Sequence, residues 1–249
     1  MRAMEIENNT SYSFWERTSH ISFLKRLLYP KKVEKSLKTP SIITEECEGL
    51  LLNNQLIKSI LFSTDLALIE NNDCDAILAV YPFSPSKRIM ESIINFSSKP
   101  VICGVGGART QGKTSVEMSV YAEKLGASAV IVNQPFKAKD IAKIKQKISI
   151  PIISSVTNLQ CDFERRIDAG VSIFNVTGGS QTLAIVKHIR QHFPHIPIIC
   201  TGGKSLQDIT RVIENKVKAV ILTPPSNATM FKKAMENYRK GIVKFKNYF

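Results

Sequence analysis

From Ile57 onward the chain alternates between two hydrophobic patterns. Short, continuous apolar runs rich in Val and Ile recur at Ser59 to Ser63, Ala76 to Tyr81, Pro100 to Val105, Ser128 to Asn133, Ile150 to Ser154, Ser172 to Val176, Ile196 to Cys200 and Ala219 to Leu222. Each is followed by a segment with apolar residues at helical spacing, over residues 65–71, 86–96, 113–125, 138–147, 161–169, 181–193, from Ser205 onward, and 228–245. Continuous apolar runs predict strands buried on both faces. Unbroken strand–helix alternation predicts a parallel sheet. Eight such units predict an α/β fold with a single closed (β/α)8 barrel, a TIM barrel, with an open doubly wound sheet as the alternative. Gly126-Ala127 and Gly170-Val171 stand where a helix turns into the next strand, which suits a glycine C-cap. Ahead of the repeat, Phe14, Ile21, Phe23, Leu24, Leu27 and Leu28 predict one amphipathic helix over Ser13 to Leu28, ended by Pro30. Residues 1–55 therefore read as an N-terminal extension with one helix that packs on the domain behind it. Residues 56–249 read as the barrel.

In such a barrel the chemistry sits at the C-terminal ends of the strands. The residues there are small and polar, with three Gly-Gly pairs: Gly106-Gly107, Gly178-Gly179 and Gly202-Gly203. Without a Cβ, glycine lets backbone N–H groups approach a ligand closely. A helix capped by Ser205 behind Thr201-Gly202-Gly203 adds its positive dipole end, which makes an anion cradle. A tight turn that binds nothing has the same sequence. Ser226 stands in the turn after the last strand. Asp65 is the only carboxylate at a strand end, and serves either as a general base or as a helix cap. Asn133, Ser154 and Asn175 are placed to orient polar groups of a substrate, and Tyr81 to stack, to hydrogen-bond or to pack inward. Gly107 to Thr114 fits the phosphate-loop pattern G-x-x-x-x-G-K-[ST] between a strand and a helix. No later strand ends in the Asp that such nucleotide-binding proteins use to hold magnesium. The more modest reading is a loop whose Arg109 and Lys113 close over an anionic substrate.

Composition narrows the function classes. The formal net charge is +13 over 249 residues. The lysines are spread along helical segments without interleaved aromatics, which favours small anionic ligands over nucleic acid. No apolar run reaches the roughly 20 residues needed to cross a bilayer, so no membrane partner is expected. Met1 to Thr10 is polar, without an apolar run, so no secretory signal is expected. Five widely spaced cysteines read as reduced core thiols of a cytoplasmic protein. His188, His192 and His195 cluster at the end of one helix, away from the expected mouth, so no metal site is expected.

The stretch IPIICTGGKS, followed about 20 residues later by AVILTPPS, resembles the phosphate-binding barrel superfamily. Its members include indole-3-glycerol-phosphate synthase, the tryptophan synthase alpha subunit, the keto-deoxy-phosphogluconate aldolases and the N-acetylmannosamine-6-phosphate epimerases. The resemblance spans roughly residues 57 to 249. It implies a phosphate gripped by the backbone of Gly202, Gly203 and Ser226, with Gly178 and Gly179. It implies acid–base lyase or isomerase chemistry on a small phosphorylated, sugar phosphate-like metabolite, with Asp65 as base. Where a Schiff-base aldolase of this group carries Lys on strand six, the chain has Asn175. The alternatives are an FMN-dependent oxidoreductase, since Thr177-Gly178-Gly179 resembles a flavin-phosphate site, a non-catalytic ligand-binding barrel, and a nucleotide-binding loop at Gly107 to Thr114. The extension either covers the bottom of the barrel or builds a homo-oligomer.

Overall fold

The computed structural model describes residues 37–202 and 205–242. The helix expected over Ser13 to Leu28, and Gly203, lie outside these residues. Helix α1 (Ser41–Glu46) is followed by a two-stranded hairpin, β1 (Leu50–Leu52) and β2 (Gln55–Ile57). Asn53 and Asn54, with φ of 48° and 60°, form its turn. Two positive-φ residues make the tight hairpin turn whose twist matches that of its strands.

Eight strand–helix units follow: β3 (Ser59–Phe62) and α2 (Leu66–Glu70), β4 (Ala76–Ala79) and α3 (Lys87–Phe96), β5 (Val101–Gly106) and α4 (Lys113–Lys124), β6 (Ala129–Val132) and α5 (Ala138–Lys145). The second half is β7 (Ile152–Val156) and α6 (Phe163–Asp168), β8 (Ile173–Val176) and α7 (Thr182–His192), β9 (Ile198–Thr201) and α8 (Leu206–Glu214), and β10 (Ala219–Leu222) and α9 (Asn227–Arg239). All neighbouring barrel strands are parallel, and β10 closes on β3 through Val220↔Ser59, Ile221↔Ile60 and Leu222↔Leu61. The barrel is closed, so the open-sheet alternative falls. The last helix ends at Arg239, inside the expected span of 228–245.

Side chains alternate between two apolar layers because a strand has period two. Ile60, Leu78, Ile102, Ile131, Ile153 and Ile199 fill the barrel. Leu61, Ile77, Val130, Phe174, Cys200 and Val220 face the helices. Leu50, Leu52 and Ile57 of the hairpin join the inner layer. Since β2 runs directly into the N-terminal end of β3, the hairpin plugs the bottom of the barrel. Asn53 Nδ2 pins the hairpin to Ser128 Oγ at 2.9 Å. All five cysteines are buried and free. Burial pushes the Cys103 thiol up to about 12 and the Cys47 and Cys74 thiols to about 11.

Both expected glycine caps are present. Gly126 (φ +93°) donates its N–H to Glu123 O at 2.9 Å while Ala127 N–H reaches Ala122 O at 3.0 Å. Gly170 (φ +108°) repeats the arrangement through Ile167 O and Arg166 O. This is the paired bonding of a Schellman cap.

Glu123 on α4 holds the α5–β7 loop. Its Oε1 accepts from Ser149 N–H and Ser149 Oγ, each at 2.6 Å, and from Ile150 N–H at 3.1 Å. Partial burial pushes this carboxyl up, but the three hydrogen bonds outweigh it and hold it below its ordinary 4.5. A depressed carboxylate contributes stability above its unfolded pKa, and that stability is lost as pH falls through the folded value. Glu123→Gln is therefore expected to melt lower than wild type at pH 7, with the gap closing below pH 4.5. Melting curves of both proteins across pH 3–8 test this, and a pH-independent gap would refute it.

Candidate functional site

Beside Phe62 and Val80, the inward-facing positions at the C-terminal rim are glycine, hydroxyl and amide residues. A cleft of about 210 Å³ opens there, lined among others by Val80, Tyr81, Phe83, Gly106, Arg109 and Asn133. Glycine is needed on its wall for packing. A Cβ on Gly106 would lie 2.4 Å from Phe136 Cε2 and 2.8 Å from Ser115 Oγ, and one on Gly104 would lie 3.1 Å from Val80 Cγ2. The Tyr81 hydroxyl accepts the Ser86 N–H at 2.7 Å. Its own proton stays available for a ligand in the cleft. Arg109 is exposed on the same wall and has no carboxylate partner among the described residues.

The glycine-rich loop is folded on itself. Gly107 N–H donates to Thr110 O at 2.9 Å, and Ser115 Oγ donates to the same carbonyl at 3.1 Å. Lys113 does not join Arg109. Its side chain is 91% exposed, and its ammonium lies 3.8 Å from Glu117, one helical turn on. A phosphate loop needs its lysine over the loop, so the nucleotide-binding alternative lacks its cation.

A second cavity, of about 660 Å³, lies between the ends of β8 and β9. It brings Thr177, Gly179 and Ser180 together with Thr201, Gly202 and Arg211. The expected phosphate grip is assembled only in part. Gly202 N–H already donates to Ile221 O at 2.8 Å, and a Cβ there would meet Val220 Cγ1 at 3.0 Å. Gly202 is thus a packing glycine whose donor is in use. Gly178 is tight against Ile185 Cδ1, 2.5 Å from a would-be Cβ, and its carbonyl accepts from Gln181 N–H. Ser226 caps α9 through Thr229 N–H at 3.2 Å and does not line this cavity. Arg211, in the last turn of α8, escaped the sequence reading. Counting from the Ser205 cap, a rotation of about 100° per residue would have shown its direction.

The remaining candidates do local work. Asp65 Oδ1 accepts from Ala67 N–H at 2.9 Å and Leu68 N–H at 3.3 Å, as the N-cap of α2. Ser154 faces outward, not into the mouth. It accepts from Nη1 of the buried Arg166 at 2.7 Å. Asn175 does face inward and is 4% exposed. Its Nδ2 donates to Ser155 Oγ at 3.1 Å, and its Oδ1 has no partner among the described residues. Among the described residues no three His, Cys, Asp or Glu side chains are grouped to hold a metal ion. No described helix is long and apolar enough to cross a membrane.

Comparison with known proteins separates fold from family. No protein-family model matches the chain. A stretch of 62 residues, 22% of the chain, is 44% identical to 4-hydroxy-tetrahydrodipicolinate synthase 1 of Clostridium acetobutylicum, and it spans only 20% of that protein. Among solved structures, oxaloacetate acetylhydrolase superposes with a TM-score of 0.58 at 10% identity, covering 82% of this chain and 87% of that one. A 2,3-dimethylmalate lyase, a member of the PEP mutase/isocitrate lyase superfamily, gives 0.57 at 14% identity, covering 82% and 88%. Phosphonopyruvate hydrolase gives 0.54 at 14% identity, covering 75% and 83%. These neighbours are a different group of barrels from the indole-glycerol-phosphate and tryptophan-synthase relatives that the TGGKS stretch resembles. At such identities they establish architecture: the chain is a closed (β/α)8 barrel, similar in fold to the PEP mutase/isocitrate lyase group.

Proposed function

We propose that the barrel is an enzyme of lyase type that takes a small carboxylate or phosphorylated metabolite in the cleft at the ends of β4, β5 and β6. The observation that carries this reading is the convergence there of Arg109, the Tyr81 hydroxyl and Asn133 on a wall they share with Gly106 and Gly107. Arg109 supplies a charge for a carboxylate or phosphate, and its planar fork suits either. Breaking a bond beside a carbonyl builds negative charge on an oxygen. Donors fixed beforehand at that oxygen lower the barrier. Tyr81, held by Ser86 N–H, is the donor best placed for that oxygen. The enzymes of similar fold support the reading, since by name they act on oxaloacetate, dimethylmalate and phosphonopyruvate, all small carboxylates.

A second reading, a ligand-binding barrel without turnover, draws on a specific observation. Among the described residues the cleft has no lysine, histidine or carboxylate on its wall, and Asp65 is engaged as a cap. Calorimetric titration with oxalate, oxaloacetate, inorganic phosphate, a sugar phosphate and FMN tests both. Wild type is expected to bind a member of the carboxylate or phosphate set, and Arg109→Ala to bind it at least tenfold more weakly, about 1.4 kcal/mol. Product formation by the bound compound favours the enzyme, and tight binding without turnover favours the second reading. Binding that is indifferent to Arg109→Ala, or confined to FMN, refutes the cleft assignment.

A further inference from the structure

A third cavity, of about 350 Å³, lies between the β6–α5 and β7–α6 loops and shares no lining residue with the two mouth cavities. Lys137, Lys139, Arg165 and Arg166 line it, against the single carboxylate of Asp162. That carboxylate is occupied, with Oδ1 accepting from Arg165 N–H at 3.1 Å to cap α6. Lys137, Lys139 and Arg165 are exposed and have no carboxylate partner among the described residues.

Arg166 is the unusual member. It is 6% exposed, and its guanidinium donates to the neutral oxygens Ser154 Oγ, Phe136 O at 2.7 Å, and Gln134 O, with the Cys161 thiol also beside it. A buried cation held by neutral acceptors keeps much of its positive field, which the Asp162 carboxylate answers only in part. Burial accordingly lowers its pKa, with Cys161 and Asp162 opposing the shift. The first turn of α5 is not capped by the side chain of its N-cap, Lys137, and its one carboxylate, Asp140, is paired with Lys143 at 3.1 Å.

We propose that this cavity is a second anion site, separate from the mouth, that binds the phosphoryl group of a small phosphorylated molecule. A phosphate dianion suits the charge better than a single carboxylate, which would leave most of it unanswered. Exposed Lys and Arg around a buried Arg give point charge and fork geometry together. The proposal does not depend on the reaction performed at the mouth.

The test is titration of the full chain with inorganic phosphate, pyrophosphate and a nucleoside diphosphate at fixed ionic strength. The proteins are wild type, Lys137→Gln/Arg165→Gln, Arg109→Ala, and a charge-matched control, Lys124→Gln/Lys147→Gln. Pyrophosphate is expected to bind wild type and the control within about twofold of one another, and the Lys137/Arg165 variant at least tenfold more weakly, with that loss repeated in the Arg109→Ala background. A gain variant, Gln160→Arg on the same wall, is expected to tighten binding severalfold, which keeps the test decisive if the double variant fails to fold. Inorganic phosphate binding as tightly as the nucleoside diphosphate identifies free phosphate as the source. Tighter nucleoside diphosphate identifies a phosphorylated metabolite. Equal loss in the charge-matched control, loss only in Arg109→Ala, or no loss in the Lys137/Arg165 variant overturns the site.

Discussion

Arg166→Ala is expected to destabilise the barrel by about 3–5 kcal/mol. The side chain serves three acceptors inside the sheet–helix layer: Ser154 Oγ, and the carbonyls of Gln134 and Phe136. Removing it takes the side-chain donor from each, and a buried unsatisfied polar group costs about 1–3 kcal/mol. The damage also spreads to the rim. Gln134 Oε1 accepts from Thr157 N–H at 2.5 Å and from its hydroxyl at 2.8 Å, so the carbonyl that Arg166 grips belongs to the residue that ties β6 to β7. Arg166→Lys should recover only part of the loss, because an ammonium point charge does not reproduce the planar fork. Urea denaturation with unchanged m-value reads the difference directly. A loss below 1 kcal/mol in the alanine variant would mean that the three acceptors are not dependent on this side chain.

Gly106→Val is the second substitution expected to act strongly. A Cβ at this position already falls within 3 Å of Phe136 and Ser115 Oγ. Phe136 is almost wholly buried, so the strand must move, at a cost of about 2–3 kcal/mol for overpacking. Because Gly106 also lines the cleft, ligand binding at the mouth should be lost along with stability. Gly107→Ala is the contrast. Its Cβ would meet the Asn133 side chain at 3.1 Å, and an exposed amide can swing aside. Its expected effect is a small stability change with altered ligand affinity. Equal stability for the two variants would refute the packing account of Gly106.

The eight strands were readable because each is buried on both faces, which writes an unbroken apolar run into the sequence. The bottom hairpin was not read as strands. Three residues are too few to show a period, although Asn53-Asn54 between Leu50–Leu52 and Gln55–Ile57 carried a turn signal. The site was harder because one residue type answers two physical demands. A glycine after a strand permits close approach of a ligand or of neighbouring protein, and Gly106, Gly178 and Gly202 turn out to face protein atoms. Asp65 had the same ambiguity between base and cap, and its bonds to Ala67 and Leu68 show it as a cap. Arg165 and Arg166 are indistinguishable as neighbours in the chain. One residue of helical rotation leaves the first in solvent and carries the second into the layer beneath.

Barrel closure also sets a schedule. Val220 pairs with Ser59, 161 positions earlier. A chain made at roughly 5–20 residues per second therefore presents β3 with no β10 beside it for about 8–30 s during synthesis. Throughout that interval one edge of a growing parallel sheet is open to pairing with another chain. The last strand is only four residues long, yet it ends that exposure. Truncation just before Ala219 should accordingly do more than remove one strand: it leaves two permanent edges, and the fragment should aggregate as it leaves the ribosome.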